Sequence, residues 1–176
     1  MDADVSVRIA WPADAEGIAD LQLSSWYAEE LTGRLHDLGL GRDDLVDAVR
    51  RGLAQPPEAR RRCLVALAGA TVVGVAQTGP ATDPDADPAT DGEIAELLIS
   101  PDATRAGHGS RLLQACADTL TADRFTRATF WLATTDDLLR AFLESAGWAA
   151  DGATRELADE LTGHPLRQVR LHTALR

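Results

Sequence analysis

Gly107 and Gly109 flank His108 where an apolar run from Glu93 to Ile99, closed by Pro101, gives way to a helical pattern from Gly109 to about Thr121. Glycines at such a junction let the backbone come close to a ligand. The unpaired N–H groups of a first helical turn carry partial positive charge, so the pair suits a phosphate. The same Gly-x-Gly also serves an ordinary strand-to-helix turn. A dinucleotide fingerprint fits less well, because its third glycine falls at Leu112. Two carboxylates, Glu93 and Glu96, precede the loop. Each is a candidate general base for a reaction in which the attacking group sheds a proton, and each equally suits a solvated strand end. Three positions apart on one strand, they are expected on opposite faces.

The elements that must position these residues follow from periodicity. Val5 to Ile9 alternates as a half-buried strand, and Trp11-Pro12-Ala13-Asp14 starts a helix predicted to run from Ala13 to Leu31. A second helix is expected over Asp43 to Leu53, ended by Pro56-Pro57. Cys63 to Leu67 and Thr71 to Gln77 read as a hairpin turned by Ala68-Gly69-Ala70. Residues 79–92, with Asp83, Asp85, Asp87 and Asp91, read as a mobile acidic loop. Beyond the glycine helix come a strand over Thr126 to Ala133, a helix over Asp137 to Ser145, and short strands over Thr154 to Leu157 and Arg167 to Thr173. The 176 residues suit one domain without repeats.

Composition narrows the partners. The net charge of −11 argues against a sequence-independent grip on nucleic acid, which needs clustered cations. It accommodates a cationic partner, or serves solubility alone. All 17 basic residues are arginine. Aromatics are only 5%, so the core must be built from Ala, Leu, Val and Ile with anchors such as Trp131, Phe142 and Trp148. Cys63 and Cys116 lack CxxC spacing or a surrounding His cluster, so no metal site is expected and each reads as a buried apolar residue. No apolar run approaches the ~20 residues of a membrane span and the N-terminus lacks a secretion pattern, so no membrane association and a cytoplasmic location are expected.

The segment Glu93-Ile94-Ala95-Glu96-Leu97-Leu98-Ile99-Ser100-Pro101, followed by Gly107-His108-Gly109-Ser110-Arg111-Leu112-Leu113, resembles the GNAT family of N-acetyltransferases. The order of elements resembles that family along essentially the whole chain. The resemblance implies an α/β (α+β) fold, with a mixed, mostly antiparallel central sheet flanked by helices and one strand splayed at the cofactor site. It implies transfer of an acetyl or related acyl group from acyl-CoA to a primary amine of a small molecule or polypeptide. The loop Thr104, Arg105, Ala106, Gly107, His108, Gly109 and Ser110 would hold the cofactor pyrophosphate. Thr104 stands where the family has Gln or Arg, leaving Arg105 as the neighbouring arm, and His108 between the glycines is expected to be exposed. Leu97, Leu98 and Ile99 would pair through their backbones with the pantetheine amides.

Glu93 lies eleven positions before Thr104, the offset of the catalytic glutamate in histone-acetylating members of the family, with Glu96 as the alternative. A second family landmark aligns with the segment from Asp136 to Trp148, where Phe142, Glu144 and Gly147 match. There Asp136 replaces a cofactor-contacting Asn, and Leu143 replaces the tyrosine that protonates the departing thiolate. Tyr27, the only tyrosine, is the candidate substitute acid, or packs beside Trp26. Trp26, Glu29 and Glu30 on the first helix would border the acceptor, or form core and a solvated face, and family habit implies a homodimer through the C-terminal strands. A noncatalytic acyl-CoA-binding module is the competing reading.

Overall fold

In a computed structural model, residues 5–25, 28–158 and 164–176 are described, the side chains of Glu29 and Glu30 excepted. Seven strands form one mixed sheet in the order β1-β2-β3-β4-β5-β7-β6: β1 (Val5–Ile9), β2 (Arg62–Ala68), β3 (Thr71–Pro80), β4 (Asp91–Ile99), β5 (Arg127–Ala133), β6 (Ala149–Leu157) and β7 (Leu166–Ala174). Among the described residues five α-helices accompany it: α1 (Ala15–Leu23), α2 (Ala28–Asp37), α3 (Arg42–Ala54), α4 (His108–Ala122) and α5 (Asp137–Ser145). Most pairings are antiparallel, while β4 and β5 run parallel over only three pairs, Asp91–Arg127 to Glu93–Thr129. The fold class expected from the sequence is the one found. The chain divides into two contact units, 1–78 with 96–119, and 79–95 with 120–176.

In the first unit the sheet is buried on both faces. Ile18 and Leu21 of α1 pack with Val65, Val75 and Leu98, and fully burying a side chain such as Ile18, 1% exposed, contributes about 1.5–3 kcal/mol. On the other face Leu112 of α4 comes so near Gly74 that a Cβ there would lie 2.7 Å from Ile99 and 3.2 Å from Leu112. Arg42, at the start of α3, ties that helix to Asp20 of α1 through Nε at 2.6 Å and Nη2 at 2.9 Å.

The helix expected over Ala13 to Leu31 is instead two, because the chain turns after Leu23. Ser24 and Ser25 donate their hydroxyls to the carbonyls of Leu21 and Gln22, at 3.0 and 2.7 Å. Such local bonds offer the backbone an alternative to the next helical turn. Strands β3 and β4 are also longer than their sequence pattern, reaching Pro80 and starting at Asp91. The connection is therefore 81–90 rather than 79–92.

In the second unit, β5 pairs with β7 along its whole length, and β7 with β6. Leu143 of α5 is fully buried and its carbonyl accepts the N–H of Trp148, itself 5% exposed. Arg170 of β7, 5% exposed, is the electrostatic hub. It bonds Asp85 through both terminal nitrogens, Asp83 through Nη1 at 3.1 Å, and Asp151 through Nε at 2.6 Å. Trp131 donates its indole N–H to Asp83 at 3.0 Å, and the Arg155 guanidinium lies 4.3 Å from the same ring.

Candidate functional site

The glycine loop has the backbone of an anion cradle. Arg105 at φ 67° and Gly107 at φ 81° take left-handed conformations within the exposed turn 104–107, and the turn feeds directly into the fifteen-residue α4. The first helical bond runs from the Arg111 N–H to the Gly107 carbonyl at 3.2 Å. By helix geometry the N–H groups of His108, Gly109 and Ser110 lie ahead of that bond and have no carbonyl within the helix. Left-handed residues among right-handed ones gather successive N–H groups into a concavity, and the helix dipole adds to its positive potential.

The side chains around this turn differ in what they can offer. Thr104 donates its hydroxyl to the Pro101 carbonyl at 2.9 Å, so its proton is committed within the turn. His108 is a correction to the sequence reading. It begins α4 rather than preceding it, and is 4% exposed rather than open to solvent. Its Nδ1 is buried without a hydrogen-bond partner among the described residues. An unmet polar atom beside a row of helix N–H groups fits a loop that binds a hydrogen-bonding anion.

On the strand leading to the loop, Leu98 is in the core while Leu97 and Ile99 are half-buried. The parallel ladder between β4 and β5 ends at Glu93, four residues short of Leu97. Ser100 on the far side donates its N–H to the Val73 carbonyl at 2.8 Å, which fixes the end of β4 against β3.

Glu96 is held by two amides. Gln22 of α1 donates Nε2 to both carboxylate oxygens, at 3.1 and 3.4 Å, and Gln77 of β3 donates to Oε2 at 3.2 Å. Neither glutamine stands out in the sequence, because an isolated amide carries no spacing signal. Gln22 and Gln77 also line a 510 Å³ cleft bounded by α1, α3 and the strands β2 and β3. Cys63 lines the same cleft, and burial, followed by the charges of Glu96 and Asp14, pushes its thiol up to about 12. Burial does the same to Cys116, also to about 12. Both thiols are protonated at neutral pH, which leaves neither as a nucleophile.

In the second unit, Glu93 accepts through Oε2 from the Thr82 N–H and hydroxyl, both at 3.3 Å. Asp136 caps α5, its carboxylate accepting the Leu139 N–H at 3.0 Å. Phe142 is half-buried on the same helix. Leu143 belongs to the core, so a tyrosine at this position would have to find room there. Trp26 and Tyr27 lie outside the described residues, as do the side chains of Glu29 and Glu30. Among the described residues no three His, Cys, Asp or Glu side chains cluster as metal ligands do, and no helix is long and apolar enough to cross a membrane.

A family model described as the acetyltransferase (GNAT) family matches residues 17–148, three quarters of the chain. The chain belongs to the GNAT family. The resemblance carried by the glycine loop and by the segment from Asp136 to Trp148 thus identifies the family correctly, and membership puts the protein among the acyltransferases. Solved GNAT structures share its fold. A ribosomal-protein-alanine N-acetyltransferase from Brucella melitensis is 17% identical with a TM-score of 0.72, covering 97% of this chain and 99% of that one. The Salmonella typhimurium protein yncA, solved with its cofactor acetyl-CoA, is 16% identical with a TM-score of 0.70, covering 98% and 94%. The PaiA N-acetyltransferase from Thermoplasma acidophilum, in complex with coenzyme A, is 15% identical with a TM-score of 0.69, covering 97% and 99%. The sequence matches no curated protein.

Proposed function

We propose that this GNAT protein transfers an acetyl, or related acyl, group from acyl-CoA to a primary amine of a small molecule or polypeptide, the amine attacking directly and Glu93 acting as general base. The observation that carries the reading is the turn 104–107, whose left-handed Arg105 and Gly107 open into the N-terminus of α4. The relatives solved with acetyl-CoA and coenzyme A support the cofactor.

The N–H groups from Gly107 to Ser110, with the side chain of Arg105 and the buried edge of His108, hold the pyrophosphate. The backbones of Leu97, Leu98 and Ile99 hold the pantetheine arm. When bound, acyl-CoA supplies the thioester carbonyl that a neutral amine attacks. The Glu93 carboxylate, fixed by Thr82, takes the proton that the nitrogen sheds. Tyr27 returns a proton to the leaving sulfur. Glu96 draws the acceptor ammonium toward β4, with Trp26, Glu29 and Glu30 on the acceptor side, while Asp136 and Phe142 stand toward the cofactor. The protein works in the cytoplasm, as a single acyltransferase domain, and pairs as a homodimer through its C-terminal strands.

A noncatalytic acyl-CoA-binding module is the second reading, favoured by the burial of Leu143 where the family's acid stands. Calorimetry with acetyl-CoA, followed by thiol release across a panel of amines, separates the two. Binding with turnover supports the enzyme. Binding without turnover on any amine supports the module, and an absence of binding overturns both.

A further inference from the structure

The cleft beside Glu96 has a composition at odds with the protein's overall charge. Ile18 of α1 and Leu45, Val49 and Leu53 of α3 form its walls, and Gln22 and Gln77 supply polar groups at one end. Its 510 Å³ falls within the roughly 300–1,000 Å³ typical of small-molecule pockets. In a chain of net charge −11, none of the described residues lining it is acidic, and the charged ones among them are Arg61 and Arg62. The same two glutamines that line the cleft bond the Glu96 carboxylate. Glu96 is followed in the chain by Leu97, so an amine drawn to it stands beside the strand end that receives the pantetheine arm.

We propose that this cleft seats the apolar body of the acceptor, and that the acceptors are primary monoamines on an aliphatic or aromatic group rather than polycations. This rests on the acyl-transfer reading above for its chemistry, though not for its binding step. An ammonium at the amide wall meets the Glu96 carboxylate. A second cation seated in the same cleft would meet its aliphatic walls, which offer it desolvation. An alkyl or arylalkyl body buries its surface against Val49 and Leu53 instead.

Gly52 and Ala48 give the test a handle. Both line the cleft from α3 and are exposed, and a Cβ on Gly52 would meet nothing within 4 Å. A side chain placed there enters open space rather than packed core. Phenethylamine and spermidine are compared on the full chain, first for direct binding by ligand-observed NMR, then for acetyl-CoA-dependent thiol release, in the parent, Gly52→Phe and Ala48→Phe. Circular dichroism melting reports whether each variant folds.

Phenethylamine is expected to bind and to exceed spermidine in kcat/KM by roughly tenfold or more, and either folded phenylalanine variant to lose its binding and that preference. Phenethylamine binding that both variants lose, with no thiol release from any amine, would uphold the cleft and defeat the acyl-transfer reading. Preference for spermidine, absence of phenethylamine binding, or phenethylamine binding and turnover that persist unchanged in both folded variants would overturn the cleft proposal.

Discussion

Arg170 holds Asp85 by a two-pronged contact, Nη1 to Oδ1 at 2.8 Å and Nη2 to Oδ2 at 2.7 Å, while its Nε serves Asp151. Asp85 belongs to the connection between β3 and β4, and Arg170 to β7. One side chain therefore fastens that connection to a strand 85 residues away in sequence. Asp83 and Asp151 are almost fully buried around it, at 8% and 9% side-chain exposure.

Replacing Arg170 by methionine takes the shared cation from those two carboxylates and leaves Asp151 with Arg127, and Asp83 with Trp131 and Arg155. Removing one partner of a buried ion pair costs about 3–5 kcal/mol, because the remaining charge stays desolvated without compensation. Because Arg127, Trp131 and Arg155 still compensate part of the charge, denaturant unfolding of Arg170→Met should show a loss at or below the lower end of that range. Since Trp131 bonds to Asp83, its fluorescence should change in the native baseline as well.

The same cluster sets an acid limit. The Arg170 hydrogen bond holds Asp85 down at about 2 against an ordinary 3.8. At Asp151 burial opposes ionisation, but the Ala153 N–H and Arg170 outweigh it and the net direction is also downward. Depressed carboxylates contribute stability that is complete above their unfolded values and disappears as pH falls through the folded ones. Stability should be level from neutrality to about pH 4 and then fall toward pH 2. Arg170→Met should flatten that decline in a pH series of unfolding midpoints.

Gly107 sits at φ 81°, where a Cβ is strained even though the space around it is open. Forcing alanine into the left-handed region costs about 1–2 kcal/mol per residue, equivalent to roughly a five- to thirtyfold loss in an equilibrium constant. Gly107→Ala should lower the unfolding free energy by that amount, and weaken acetyl-CoA binding in calorimetry by at most the same factor, the full factor only if the free loop relaxes out of the left-handed conformation. Leucine or asparagine at Thr104 should do far less, since that side chain bonds only within its own turn.

Restoring the family's tyrosine at position 143 should not restore an acid. The site is fully buried, and overpacking a core costs about 1–3 kcal/mol. Leu143→Tyr should lower the unfolding midpoint without raising kcat. Tyr27→Phe, by contrast, should lower kcat with little change in KM if Tyr27 protonates the sulfur.

Glu93→Gln should reduce kcat/KM by roughly 10²- to 10⁴-fold, the usual worth of a general base, and the deficit should shrink as pH approaches the pKa of the acceptor ammonium. An equal loss at every pH would instead point to a structural role through Thr82.

Much of this architecture is legible in the sequence because it rests on short-range signals. The helix from Asp137 to Ser145 and the hairpin turned at Gly69 follow from periodicity and turn chemistry, and both occupy the expected places. The turn after Leu23 was not legible, since apolar residues continue at near-helical spacing and the serine hydroxyls that bond the Leu21 and Gln22 carbonyls leave no mark on that spacing. Nor were the partners of Glu96. Gln22 and Gln77 lie 74 and 19 positions from it, and long-range amide contacts leave no periodicity behind. The acidic run at 83–91 reads as a solvated loop because its counter-charge, Arg170, lies on a distant strand.

Cys116 is buried and Cys63, expected to be buried too, is half-buried at the cleft, yet both thiols are raised, which has a practical side. With both thiols pushed up to about 12, only on the order of one in 10⁴ would be ionised at pH 8, and disulfide reagents react with the ionised form. Ellman-type colorimetry on this chain should therefore start from a nearly silent background. The sulfur it counts during turnover would be that of released coenzyme A.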